Sequence, residues 1–376
     1  MRLRGRFIRF ILIIQSLLFF THLLVYETWV NESSSFPASA VRSGGRLWLG
    51  LVTALLSMSF VSASLLAFRY KNWFVRAFYK IAAVWLGWLT FLVLASLAAW
   101  TTLAVSKLAS IHLNFHYLVE WLFGAAVAVG ISALLNANWT RTTRISVKLP
   151  KLPPVWRGRR VAVISDVHLG HVRNGGFLTR MVSKILHEDP DVVLIAGDLY
   201  DGTAIDVDGA AQPLRRLKAP HGVYFVAGNH EQFGDDTKYL RAIENAGVRV
   251  LRNEKVELEE LQIVGVSYRD AAPGEALASL LRNLHLDRDR ASIFLTHAPD
   301  HPDIAEAAGF SLQLCGHTHL GQYIPFTWIV RRIYGQFAYG LSQIGNMMSF
   351  TSCGVGTWGP PLRLGSNPEI VLLRFD

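Results

Sequence analysis

Apolar positions along the chain follow two regimes. In the first 140 residues they run on almost unbroken, in windows at about 7–29, 47–68, 81–105 and 117–136. Each window holds about 20 or more residues, enough for a helix to cross a hydrocarbon core roughly 30 Å thick. Four spans are therefore predicted, since so small a domain has no soluble core in which to hide all four. After residue 155 the apolar runs shorten to strand length and alternate with amphipathic stretches. Runs at 161–164, 192–196 and 223–227 read as buried strands, with helices expected at about 176–187 and 238–246. Continuous apolar runs separated by helices mark a buried sheet in an α/β domain. Two or three further strands are expected across 248–267 around a charged turn at Glu254 and Glu259. Others are expected at 292–296, 311–314, 348–353 and 370–375. That count exceeds one sheet, so two packed sheets with helices outside are expected. The predicted domains are 1–140, four transmembrane helices; 141–158, a basic Pro-containing linker; and 159–376, the α/β domain.

Composition and charge refine this picture. The chain is 51% hydrophobic and only 17% charged, too apolar for an ordinary soluble enzyme, and the excess sits in the first region. Much of the net charge of +9 lies near the span ends. Arg2, Arg4, Arg6 and Arg9 precede the first span, and Arg69, Lys71, Arg76 and Lys80 separate the second from the third. Arg141, Arg144, Lys148 and Lys151 follow the fourth, whereas the opposite loops carry only Arg42, Arg46 and Lys107. The positive-inside rule then places the N-terminus and the α/β domain in the cytoplasm, on a multi-pass protein of the inner membrane. Arg157, Arg159 and Arg160 extend the basic set, which suits an anionic membrane surface at about 1 kcal/mol per residue. No nucleic-acid partner is expected. Cys315 and Cys353 give no disulfide framework and fit a reducing compartment. His22, Glu27, His112, His116 and Glu120 fall in or near the spans, most at interfacial ends where polarity costs little, and imply no transporter.

The candidate chemistry lies in the second half. Asp166-Val167-His168, Gly197-Asp198, Gly228-Asn229-His230-Glu231, His297 and Gly316-His317-Thr318-His319 each follow a predicted strand. In an open α/β sheet, ligands gather outside the carboxyl ends of the strands, so these clusters converge on one edge. Mixed oxygen and imidazole donors suit divalent manganese, iron, zinc or cobalt better than calcium or magnesium. Two such ions, roughly 3.5–4 Å apart, can share a carboxylate, acidify a bridging water and clamp phosphoryl oxygens during in-line attack. No protein nucleophile is required.

These motifs, from about residue 161 to the end, resemble the calcineurin-like metallophosphoesterase superfamily. The resemblance implies a four-layered sandwich and two divalent metal ions. It implies that Asp166, His168, Asp198 and His319 hold the first ion, with Asp198 bridging, and that Asn229, His297 and His317 complete the second site. His230 resembles the family's non-ligand histidine, which stabilises or protonates the departing oxygen. Glu231 stands where many members have aspartate, and either carboxylate is expected to orient the His230 imidazole. Residues 219–224 and 354–363 are similar to a bacterial membrane-associated phosphodiesterase branch related to UDP-2,3-diacylglucosamine hydrolases. This implies hydrolysis of a phosphodiester or pyrophosphate in a lipid-linked substrate. Arg331 and Arg332, in the aromatic segment 323–339, and Arg363 are candidate substrate contacts; for Arg363 a structural contact to the Gly-rich turn is the competing reading. Segment 323–339 is expected either to lie near the membrane and admit an acyl chain or to pack as an aromatic loop on the second sheet. A phosphomonoesterase is the alternative enzyme, and an inactive membrane sensor or scaffold the alternative of another class. All eight motif residues are present, which disfavours the scaffold.

Overall fold

The computed structural model describes residues 2–32, 45–233 and 235–376, and Arg42 of the charge count lies outside them. The chain forms two compact units, Met1–Leu135 with Gly359–Leu362, and Asn136–Trp358 with Arg363–Asp376.

The first unit is built on helices α1 (Arg2–Glu32), α2 (Gly45–Ala67), α3 (Trp73–Leu108) and α4 (Phe115–Asn136). All four are long and apolar enough to cross a membrane. Large apolar side chains such as Phe10, Ile13, Leu55, Trp121 and Leu135 stand exposed, a surface suited to lipid rather than water. Helix α3 runs well past the predicted span: its 36 residues extend roughly 54 Å at 1.5 Å per residue. Asn72 caps it, its Oδ1 accepting from the Val75 amide at 2.9 Å. Arg76 and Lys80, good helix formers, then carry the helix through what reads as a polar connection. His22 is tied on both sides of its ring. Nε2 accepts from Trp85 Nε1 at 2.8 Å, and Nδ1 donates to the Leu18 carbonyl at 2.7 Å. Trp100 Nε1 likewise donates to Thr28 Oγ1 at 2.9 Å. These polar groups link α1 to α3, the role such side chains take where water is absent.

The second unit holds two six-stranded sheets. The first has the order β1 (Arg141–Val147), β12 (Glu369–Phe375), β2 (Arg160–Ile164), β3 (Val192–Ile195), β4 (Val223–Phe225), β5 (Arg249–Val250). The second has the order β10 (Gly340–Ile344), β11 (Met347–Thr351), β9 (Leu312–Cys315), β8 (Ser292–Leu295), β7 (Leu261–Gly265), β6 (Glu254–Leu258). Strands β2, β3 and β4 are mutually parallel, as are β7, β8 and β9. Alternation along each strand builds the layers. Val161, Val163, Val192 and Leu194 meet Ile263, Ile293, Leu295 and Leu312 between the sheets. Ala162, Ile164, Val193 and Ile195 face Phe177, Leu178, Met181 and Ile185 of the helix Gly175–His187. On the other side Val264 and Phe294 pack on Leu277 and Leu281 of the helix Gly274–Asn283. The result is a helix–sheet–sheet–helix stack.

Three local readings need correction. Residues 141–147 are not linker but the edge strand β1, paired in parallel with β12. An edge strand needs only one buried row, so Thr142, Arg144 and Ser146 mask Ile145 and Val147 in the sequence. Glu254 lies inside β6, and the turn is made by Glu259 and Glu260, both at positive φ. Part of the aromatic segment 323–339 is neither strand nor loop but the helix Phe326–Tyr334.

Candidate metal centre

Five strand ends deliver the polar clusters. Asp166 and His168 leave β2, Asp198 leaves β3, Asn229 and His230 leave β4, His297 leaves β8, and His317 with His319 leaves β9. The exits are sharp. Asp166, His168, Asp198, His317 and His319 all adopt left-handed backbone, with φ between 48° and 69°, a region asparagine, aspartate and histidine enter more readily than other non-glycine residues. Close approach also demands glycine at two positions. A Cβ on Gly228 would lie 2.1 Å from Asp198 Oδ1, and one on Gly316 would lie 2.3 Å from Asp166 Oδ2.

The donor atoms then converge in two groups that share a corner. His168 Nε2 lies 2.9 Å from His319 Nε2, and Asp166 Oδ1 is 3.4 Å from the latter. On the other side, His297 Nε2 lies 3.0 Å from Asn229 Oδ1, 3.1 Å from His317 Nδ1 and 3.1 Å from Asp198 Oδ2. Asp198 Oδ2 is also 3.8 Å from His168 Nε2, which places this carboxylate between the groups. Each of the sets Asp166, His168, His319 and Asp198, His297, His317 has its donor atoms mutually within 4.8 Å.

This donor set fits cations. Asp166 and Asp198 are buried, and their ion-pair partners among the described residues are all histidines. Buried carboxylates without a fixed positive charge are costly unless a cation joins them. Burial pushes Asp166 up to about 6, against the pull of His297. Burial drives His168 and His319 well below the ordinary histidine range, with nearby positive groups adding to it, which favours their neutral forms. His317 is pushed down to about 3 by burial and by His297. His297 runs the other way: burial opposes its proton, but Asp198 outweighs it and raises the group to about 10. His168 Nδ1 is buried without a hydrogen-bond partner among the described residues. Imidazole nitrogens facing each other across such gaps suit positive ions between them.

His230 stands beside the cluster with its ring held. Nδ1 donates to the Asp201 carbonyl at 2.9 Å, its amide donates to Asp198 Oδ1 at 2.9 Å, and Nε2 faces Asp198 Oδ2 at 3.9 Å. The carboxylate of Glu231 does not orient this ring. It is fully buried and accepts three backbone N–H groups, from Asp198 at 3.0 Å, Tyr200 at 2.9 Å and Gly228 at 2.9 Å. Glu231 therefore staples the β3 and β4 exits together. Glu231→Gln is expected to leave one of these amides unpaired and to lower unfolding free energy by about 1–3 kcal/mol. A thermal melt of the purified variant checks this, and an unchanged midpoint would refute it.

Arg363 is not a substrate contact. It is fully buried and donates to the carbonyls of His319, Cys353 and Gly356 at 2.9, 2.7 and 2.6 Å, with Nη2 3.1 Å from His319 Nδ1. It braces the last ligand loop from behind, the structural alternative of the two readings. Arg331 and Arg332 are exposed in the last turn of the helix Phe326–Tyr334. Sequence reasoning missed two aromatic neighbours of His230. Phe233 and Trp358, 64% and 56% exposed, have ring centroids 4.5 and 5.8 Å from that imidazole. Gln322 fixes Trp358, donating to its carbonyl at 2.8 Å and accepting from its amide at 2.7 Å. An exposed aromatic three residues after Gly-Asn-His was the available signal for Phe233.

Comparison with known proteins adds the following. A family model described as calcineurin-like phosphoesterase matches residues 159–321. An uncharacterized metallophosphoesterase of Campylobacter jejuni is 26% identical over 322 residues, covering 83% of this chain and 86% of its own. A transmembrane protein with metallophosphoesterase domain of Danio rerio is 27% identical over 388 residues, covering 96% and 88%. An uncharacterized metallophosphoesterase of Aquifex aeolicus is 31% identical over 263 residues, covering 66% of this chain and 97% of its own.

Proposed function

Because this chain belongs to the calcineurin-like phosphoesterase family, we propose that it hydrolyses a phosphodiester or pyrophosphate bond in a lipid-linked molecule at the cytoplasmic face of a membrane. The observation that carries this reading is the run of overlapping His/Asp groups at five strand ends, with Asp198 within 4 Å of both His168 and His297. Asp166, His168, Asp198 and His319 would hold one divalent ion, and Asp198, Asn229, His297 and His317 the other. Bound there, two such ions supply Lewis acidity, activating water near neutral pH and neutralising charge on a phosphoryl group.

The chain's own residues do the rest. Asp198 orients the His230 backbone through its Oδ1, so the shared carboxylate and the acid–base residue keep a fixed spacing. The Asp201 carbonyl holds Nδ1–H of His230, so when the ring takes up a second proton, a form burial opposes and Asp198 favours, Nε2–H hydrogen-bonds the departing oxygen and hands it that proton. Phe233 and Trp358 wall that side and limit water around the leaving group. A lipid-linked substrate is supported by four helices long enough to cross a bilayer, and by the local similarity of residues 219–224 and 354–363 to UDP-diacylglucosamine hydrolase relatives. The basic residues at the span ends support a cytoplasmic catalytic unit of an inner-membrane protein.

The test is incubation of the metal-reconstituted protein with a membrane lipid extract, followed by mass spectrometry of what disappears. Turnover of a generic diester is measured alongside. Preference for monoesters would favour a phosphatase, and a metal-loaded but inert protein would favour a scaffold. Replacing Phe326, Trp328 and Ile329 by serine is expected to raise KM for a lipid substrate while sparing a small soluble diester. Equal effects on both would remove the lipid-linked part of the reading.

A further inference from the structure

We propose that the helix Phe326–Tyr334 seats the α/β unit on an anionic bilayer surface, its apolar stripe entering the headgroup–acyl boundary and its arginines meeting lipid phosphates. The inner face of this helix is committed. Thr327 is buried, and Val330 and Tyr334 pack against Leu320, Ala338 and Cys353. Through that face the helix adjoins the metal centre, with the Tyr334 ring centroid 6.5 Å from that of His317.

The outer face is exposed among the described residues. Phe326, Trp328, Ile329 and Ile333 are 41%, 65%, 51% and 67% exposed. Phe326, Ile329 and Ile333 follow the spacing i, i+3, i+7, which aligns them as one stripe along the axis. Arg332 lies next to that stripe, between Ile329 and Trp328 on the helix circumference, and Arg331 lies beyond Trp328, both exposed. Tyr339 and Leu341, also exposed, follow shortly after the helix. A soluble surface does not normally gather so many large apolar side chains on nine residues. A short amphipathic helix with aromatic and aliphatic side chains beside arginines is the pattern of an element lying in a membrane interface.

A bilayer is the occupant the residues favour. One guanidinium beside the stripe and a second flanking Trp328 suit phosphate oxygens better than the apolar core of a protein–protein contact, where charge is depleted. The chain also carries its own route to a bilayer in four membrane-length helices. The proposal rests on those helices crossing the membrane, and the experiment separates the two failures. The full-length protein carrying Ile329→Cys or Ile333→Cys with an environment-sensitive fluorophore is reconstituted into vesicles of mixed neutral and anionic phospholipid. Cys315 and Cys353 are buried and do not compete for the label. The same label at Arg241→Cys, an exposed position on the helix Thr237–Asn245, reports the aqueous surface.

Resistance of the protein to alkaline extraction establishes that the helices span. Given that, the labels at 329 and 333 are expected to be quenched by nitroxide-bearing lipid and to lose several-fold in quenching by iodide relative to the label at 241. Adding Arg331→Gln and Arg332→Gln, or omitting anionic lipid, is expected to restore iodide quenching. Equal iodide quenching at 329, 333 and 241 in extraction-resistant vesicles overturns the seating. Release of the protein by alkaline wash overturns its premise instead.

Discussion

Asp198→Asn is expected to lose bound metal and diester turnover together, by more than the roughly 10- to 100-fold typical when only an outer-shell partner of a metal is removed. The reason is the position of this carboxylate. Oδ2 stands 3.1 Å from His297 and 3.8 Å from His168, so it is the one group common to both sides of the cluster. Its Oδ1 meanwhile accepts the His230 amide, which an asparagine oxygen can still do. The variant therefore keeps the shape of the β3 exit and removes the charge. Burial works against that charge, but the surrounding histidines, His297 foremost, hold Asp198 below the usual carboxylate range. Metal content by plasma mass spectrometry and turnover of a generic diester are the two readouts. Retention of two equivalents of metal would show that Asp198 does not bridge.

His230→Ala is expected to behave differently, keeping its metal and losing rate by about 10²- to 10⁴-fold, the usual effect of removing an acid catalyst. Its imidazole is anchored by Asp201 rather than by the donor groups, so deletion of the ring leaves the ligand loops in place. The loss should be smaller for a diester with a good leaving group, because protonation of the departing oxygen then matters less. Equal losses for good and poor leaving groups would remove the proton-donor role and leave His230 as a positioning residue.

Strands β2, β3 and β4 were legible because each is buried on both faces and reads as an unbroken apolar run ending in glycine or a polar cluster. Val161 to Ile164 and Val192 to Ile195 are examples, buried throughout. Two elements with one buried face were not. Strand β1 hides its inward row among arginines and threonines, and the helix Phe326–Tyr334 exposes the residues that a reader takes for core. The clustered histidines and aspartates could be named from their types and order. The groups that hold them could not, because such support is made by backbone atoms brought together only in the fold. Asp201 acts on His230 through its carbonyl, Glu231 acts through three amides, and Arg363 crosses from a distant turn to carbonyls behind His319. A charged side chain in a Gly-rich turn looks the same in sequence whether it faces solvent or is fully buried.

The left-handed backbone at Asp166, His168, Asp198, His317 and His319 binds two requirements into one. Each position asks for a metal donor and also for a residue that tolerates positive φ, and aspartate and histidine meet both. Alanine scanning at these sites would remove a donor and loosen a loop in the same stroke, whereas asparagine separates the effects.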